Sequence, residues 1–192
     1  MNRIKQVMRK PLSETDIKTI LGSDTKILTY PQLAKYNSIE ELLPKPYDFV
    51  VILLLETPIS GHWTALIKNP SQLEWFDSYG NEPDADLSKW LSPSQRIELR
   101  EDKYYLSNLL QGRNYIYNKV KYQQLRQGVN TCGDHVSFRC YKFKNEGCNL
   151  KYYQDYMKNY TRLYGLTPDQ LVASFVSKYV EYYQTYNICS NI

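Results

Sequence analysis

A chain of 192 residues, 42% hydrophobic and 23% charged, can bury a real core without metal or disulfide staples. That composition excludes wholesale disorder, and the longest apolar run, Phe49–Leu55, is far too short to span a bilayer. The net charge of +4 is mild and its cations are scattered, apart from Arg3, Lys5, Arg9 and Lys10; a solvated helix end is the simpler reading of these than an arm for nucleic acid or a membrane surface.

No apolar segment of signal-peptide type follows "MNRIKQVMRK", which places the protein in a cytosol, a nucleus or a particle assembled there. In that setting the four cysteines are expected to be free thiols. "PLSETDIKTILG" then predicts a helix, with Ser13 as N-cap, Glu14 and Asp16 in the first turn and Gly22 as the stop. A short helix begins at Ser38 and ends by Pro44. "YDFVVILLLET" (47–57) reads as a central strand covered on both faces.

Two strand-like runs follow, 62–69 and 72–80, joined by "NPS", which has hairpin-loop chemistry. "SPSQRIELREDKYYLSNLL" predicts a helix from Ser92, with Pro93 at N1 and Gln95 closing a capping box. "NYIYNKVKY" (114–122) alternates as one more strand, and a helix is expected from Cys132 through "GDHVSFRCYKF". In the tail, Tyr152, Tyr156, Tyr160 and Tyr164 form one helical stripe, read as packing surface with wet hydroxyl tips. "TPDQ" (167–170) caps a last helix whose stripe is Leu171, Val172, Phe175, Tyr179 and Tyr183. Helices flanking a short run of strands, without repeats or linkers, predict one α+β domain over 1–192, with a small mixed β-sheet.

Chemistry centres on "QGVNTCGDHVSFRC" (127–140). A thiol attacks an acyl carbon only as a thiolate, which a helix N-terminus and a neighbouring imidazolium both favour. Cys132, followed by Gly133 at the start of a predicted helix, meets the first condition. For the second the chain offers two histidines, His62 and His135. His135 shares the helix of Cys132 at i+3, a poor place from which to leave the sulfur open, and its one evident carboxylate, Asp134, points elsewhere. His62 begins a strand whose hairpin return carries Asp77, placed to face it across the ladder and hold the imidazole through its far nitrogen. Gln127, ahead of the nucleophile, is the candidate oxyanion donor, with Gln123 and Gln124 further back. Zinc bound by Cys132, His135, Cys140 and Cys148 matches no common ligand spacing; Cys140, Cys148 and Cys189 read as core or surface thiols.

The ordered set "GHW", "FDSYG", glutamine and "CG" resembles the adenain-like and ubiquitin-like-protein-processing cysteine proteases, whose chain order is His, Asp/Glu/Asn, Gln, Cys. The nearest likeness is to adenovirus-type maturation proteases of virophages and Maverick-type elements, and it covers about residues 47–140. It implies an adenain-like fold of the papain-like superfamily, with His62 as general base, Asp77 as its orienter, Gln127 as oxyanion donor, Cys132 as nucleophile and Trp63 packed beside the site. Gln127 stands five residues ahead of Cys132, closer than the family's usual spacing, and the His62–Asp77 interval is also short.

The resemblance implies a monomeric endopeptidase that matures capsid or other virion precursors, in the particle and the infected cell's cytoplasm, cutting after small residues. A protease removing ubiquitin-like modifiers would use the same four residues. A non-catalytic virion or nucleic-acid-binding protein on this fold is the reading from another class. No metal or cofactor is expected to be required. The adenovirus enzyme is stimulated by DNA and by a viral peptide; the basic N-terminus and the tyrosine-rich tail (about 150–187) permit weak contact of that kind, but no residue here matches those features.

Overall fold

The computed structural model describes residues 3–45 and 48–189, with side chains as far as Tyr179. Tyr47 and the side chains of Tyr183 and Cys189, for which a strand start, a helix stripe and a thiol role are expected, lie outside them. Two compact units form: Lys26–Val120, and the chain on either side of it. Helices α1 (Arg3–Arg9) and α2 (Glu14–Leu21) come first. The central unit runs β1 (Ile27–Thr29), a 3₁₀ turn (Tyr30–Lys35), α3 (Ile39–Leu42), β2 (Phe49–Thr57), β3 (Ser60–Lys68), β4 (Leu73–Phe76), α4 (Leu87–Trp90), α5 (Pro93–Glu98), α6 (Tyr105–Leu110) and β5 (Tyr115–Tyr117). Helices α7 (Cys132–Glu146), α8 (Leu150–Tyr164) and α9 (Pro168–Cys189) complete the chain. The fold class is α+β, as the element order predicts. Among the described residues no helix is long and apolar enough to cross a membrane.

The strands form one five-stranded sheet in sequence order, with β1–β2 and β4–β5 parallel and the middle pairs antiparallel. β2 lies inside the sheet between β1 and β3, and residues of both its faces, Val50 and Ile52 on one and Val51 on the other, are buried, which explains its unbroken apolar run. Val50, Ile52 and Leu54 pack with Leu66 and Trp75 against Tyr30, Leu33, Leu42, Leu106 and Leu110, so the short helices of this unit close one face of the sheet. Three residues of strand at β1 carry too little periodicity to be read from sequence, and neither β1 nor the 3₁₀ turn is predicted.

The helix expected from Ser92 is broken. Its capping box forms, with Ser92 and Gln95 each accepting the other's backbone N–H, but α5 stops at Glu98 and Arg100 takes a left-handed φ of 59°. The break turns Glu101 inward, where its Oε1 accepts the Leu55 N–H at 2.7 Å. The strand expected over 114–122 shrinks to three residues because Asn118 leaves the ladder and clamps the loop after β4, donating to the carbonyls of Asp77 (2.9 Å) and Val120 (2.7 Å).

In the second unit α7 and α9 pack on each other, α1 packs on α9, and α2 packs on both α7 and α9. Ser13 caps α2 in a reciprocal box with Asp16, and Thr167 and Gln170 do the same at α9. The inward residues of α9 are Val172, Ala173 and Val176, one step round from the predicted stripe, whose Leu171, Phe175 and Tyr179 are only half-buried. The tyrosine stripe of α8 also differs from expectation. Leu150, Tyr153 and Met157 face inward, while Tyr156 and Tyr160 stack on each other (4.0 Å between ring centres) and Tyr152 and Tyr164 are exposed.

Candidate active site

His62 sits in β3, paired with Leu54 of β2, and is buried. Asp77 lies one residue beyond Phe76, the last paired residue of β4, so it meets His62 from the loop rather than directly across the ladder. The loop is shaped for this. Gly80 takes a φ of 76° and approaches the Lys119 backbone so closely that a Cβ would stand 3.1 Å from it. The Asp77 carboxylate accepts the backbone N–H groups of Tyr79 (2.9 Å) and Asn81 (3.0 Å), and its Oδ1 meets His62 Nε2 at 2.6 Å. Burial pushes the Asp77 carboxyl up, but the His62 contact and the two N–H groups outweigh it and hold the group below the usual carboxylate range. Tyr79 stacks on the imidazole, 4.7 Å between ring centres. With Nε2 committed to Asp77, the ring is fixed in orientation. Trp63, expected beside the site, is buried on the β3 face opposite His62 by strand alternation.

Gly61, just before His62, carries a backbone requirement of its own. A Cβ there would stand 1.8 Å from the Leu54 carbonyl oxygen across the pair. Gly61→Ala is therefore expected to cost about 2 kcal/mol or more and to displace His62. Chemical denaturation and the His62 NMR signal check this; an unchanged midpoint and signal would contradict it.

Asp86, at the head of α4, is buried beside the pair. The reactive atoms of His62, Asp77 and Asp86 lie within 4.8 Å of one another. A divalent cation needs that spacing too, but here the inward-facing atoms of His62 and Asp77 are spent on each other, and the cluster reads as a hydrogen-bonded one. A small cavity alongside is lined by Leu54, His62, Asp86, Trp90 and Glu101. Glu101 is buried with Oε2 unpartnered, and burial pushes its carboxyl up to about 7. The unfolded chain releases this proton near the ordinary value, while the native state keeps it to about pH 7. Each step in between favours unfolding, so stability falls from about pH 4.5 to 7 and then levels. Glu101→Gln is expected to remove that slope and raise stability at pH 8 by roughly 2 kcal/mol. Melting curves across pH check it; an unchanged slope would contradict it.

In the other unit Cys132 is the first residue of α7 and is buried, so its backbone N–H is one of the unpaired donors of the helix start. Asp134, in the same first turn, is fully buried with neither carboxylate oxygen hydrogen-bonded. Burial, and then the neighbouring Cys132 and Asp169, push its carboxyl well above the usual carboxylate range. His135 does have a carboxylate, contrary to expectation. Its Nε2 meets Asp169 Oδ1 at 3.1 Å, and Asp169 also accepts Thr131 Oγ1–H (2.5 Å) and the Gln124 N–H (3.2 Å). Asp169 thereby ties the head of α9 to the head of α7. No local signal in the sequence marks it; only its place in the first turn of a capped helix does. Gln127 is exposed on the Arg126–Val129 turn, while Gln123 is buried. Cys140 and Cys148 are buried and form no disulfide.

These observations define an α+β protein with a buried histidine–carboxylate pair on its sheet and a cysteine at a helix head. The chain is 34% identical over 176 residues to an uncharacterized protein, V9, of Sputnik virophage, covering 90% of this chain and 97% of that protein. It belongs to the same family as that virophage protein. No protein-family profile matches it.

Among solved structures, the SUMO protease Ulp1 with its catalytic cysteine oxidised to a sulfenic acid aligns with a TM-score of 0.42 and 18% identity, over 91% of this chain and 81% of that one. The Ulp1 protease domain in complex with Smt3, the yeast ortholog of SUMO, gives 0.41 and 15%, over 93% and 82%. The ASFV pS273R protease gives 0.40 and 13%, over 70% of this chain and 57% of that one, so the chain spans a little over half of that protease.

Proposed function

We propose that the protein is a cysteine endopeptidase in which Cys132 is the nucleophile, His62 its acid–base partner and Asp77 the orienter of His62. The observation that carries this reading is the buried 2.6 Å His62–Asp77 contact, in which a carboxylate braced by two backbone N–H groups fixes the orientation of the imidazole. The placement of Cys132 at the first position of a fifteen-residue helix supports its role, because the helix start favours a thiolate.

The Cys132 thiolate adds to the scissile carbonyl carbon, and the resulting oxyanion is held by the Cys132 backbone N–H with the Gln127 side chain. The imidazolium of His62 gives its Nδ1 proton to the leaving amine as the C–N bond breaks. Neutral His62 then takes a proton from water, whose oxygen attacks the thioester; the acid leaves and the Cys132 thiolate and His62 imidazolium are restored. The reading takes proteins of the virus particle, capsid precursors among them, as substrates, and the particle and the infected cell as the place of action; the virophage source of the relative supports a viral setting.

Incubation with virion structural proteins and, separately, with a ubiquitin-like precursor tests the reading, with product termini read by mass spectrometry. Cleavage of virion proteins that is lost in Cys132→Ala and in His62→Ala is the expected result. Cleavage of the modifier precursor alone would move the substrate class, and cleavage that survives Cys132→Ala would sink the mechanism. Activity lost in His135→Ala but kept in His62→Ala would reassign the base.

A further inference from the structure

We propose that Asp86 is a positioning residue for the His62–Asp77 pair, alternating between a neutral acid that donates a hydrogen bond to Asp77 and a carboxylate that adds a second negative charge beside the imidazole. The inference rests on the protease reading for its consequence in catalysis, but the pairing itself stands on geometry.

Asn81 bridges the two carboxyls, giving its backbone N–H to Asp77 Oδ2 (3.0 Å) and its side-chain N–H to Asp86 Oδ1 (2.7 Å). Trp90 Nε1 adds a longer contact to the same Asp86 oxygen (3.3 Å). The loop that delivers Asp86 is held under strain: Asp84 takes a φ of 64° and is pinned by Tyr30 Oη–H and the Ser107 N–H, both at 2.8 Å. A non-glycine residue in that region is costly unless its surroundings fix it, and such sites gather where function needs a set geometry.

Two carboxyls this close do not both ionise readily, and one retains its proton. Asp77 has the backbone donors and the histidine, so Asp86 is the one that stays neutral: burial, then the Asp77 charge, push its carboxyl up to about 6. The other charged groups facing it are His62, Lys89 (3.9 Å away), and Glu56 and Glu101 along the same cavity. Below about pH 6 the imidazole therefore faces one negative charge, and above it two. The second charge stabilises the imidazolium, the form that pairs with a thiolate and protonates the leaving amine.

Asp86→Asn tests this because an asparagine keeps the acceptor for Asn81 and imitates the neutral acid at every pH. The chain has two histidines, so His62 and His135 can be followed separately by NMR, with His135 reporting that the fold is intact. In a Cys132→Ala background, which removes the thiol's charge, the His62 midpoint is expected to fall by about one pH unit on Asp86→Asn while His135 does not move. In the active enzyme the acid limb of kcat/KM is expected to be unchanged and the alkaline limb to move down by about the same interval. A His62 midpoint and alkaline limb that superimpose on those of the unsubstituted chain would overturn the proposal. A chain that hydrolyses nothing but still shows the His62 shift would support the pairing while defeating the protease reading. If Asp86→Asn disturbs the His135 signal, Asn81→Ser, which weakens the bridge and keeps both carboxyls, takes its place: a shifted His62 midpoint supports the pairing and an unshifted one overturns it.

Discussion

Cys132→Ala is expected to lower peptide hydrolysis by about 10³-fold or more without changing the fold. Removing one sulfur from the first position of α7 leaves its backbone N–H and the helix in place, so binding and oxyanion contacts persist while covalent attack is lost. Cys132→Ser is expected to be nearly as damaging, since a hydroxyl at a helix start is not ionised as a thiol is. His62→Ala is expected to cost about 10²–10⁴-fold, the range of a lost general acid–base group. Steady-state rates on one cleaved peptide, with circular dichroism to confirm folding, check all three, and a Cys132→Ala enzyme within tenfold of wild type would contradict the account.

Asp169→Ala is expected to be the most destabilising single change in the helical unit, by roughly 3–5 kcal/mol. The carboxylate is fully buried and accepts from Thr131, Gln124 and His135 together. Alanine leaves the buried Thr131 and His135 and the half-buried Gln124 N–H without their acceptor and unties the residue that precedes Cys132. Asp169→Asn keeps one acceptor oxygen and is expected to recover part of the loss. A shift in denaturation midpoint at constant slope measures both; a loss below about 1 kcal/mol for alanine would show that water or a neighbour replaces the carboxylate.

What the sequence made legible was local. The N-cap at Ser13 and the capping boxes at Ser92 and Thr167 are interactions between residues three apart and form as read, Ser13 closing a full box with Asp16 besides. The continuous apolar run of β2 reports its burial on both faces, and the hairpin between β3 and β4 brings Asp77 back to His62 across fifteen positions. What stayed hidden depends on distant partners. His135 looked like a histidine without a carboxylate because Asp169 lies thirty-four residues away. The helix through residue 100 looked continuous because nothing local shows that Glu101 must turn in to reach Leu55, forty-six positions earlier. Asp86 carries no motif at all; its place beside Asp77 is set by a strained loop fastened to Tyr30 and Ser107. The tyrosine stripe had the right period on the wrong face, since periodicity marks one side of a helix without saying whether solvent or protein meets it.

The central claim is that Cys132 and His62 serve one reaction, and it can be tested without knowing any substrate. The rate of Cys132 alkylation by iodoacetamide would be measured against pH in the wild-type and His62→Ala chains, with the modified residue located by mass spectrometry. A thiolate paired with the imidazolium predicts rapid Cys132 alkylation well below pH 7 in the wild type, collapsing in His62→Ala to a single rise near the ordinary thiol value of about 8.5. Identical profiles in the two proteins, both rising only near that value, would contradict it.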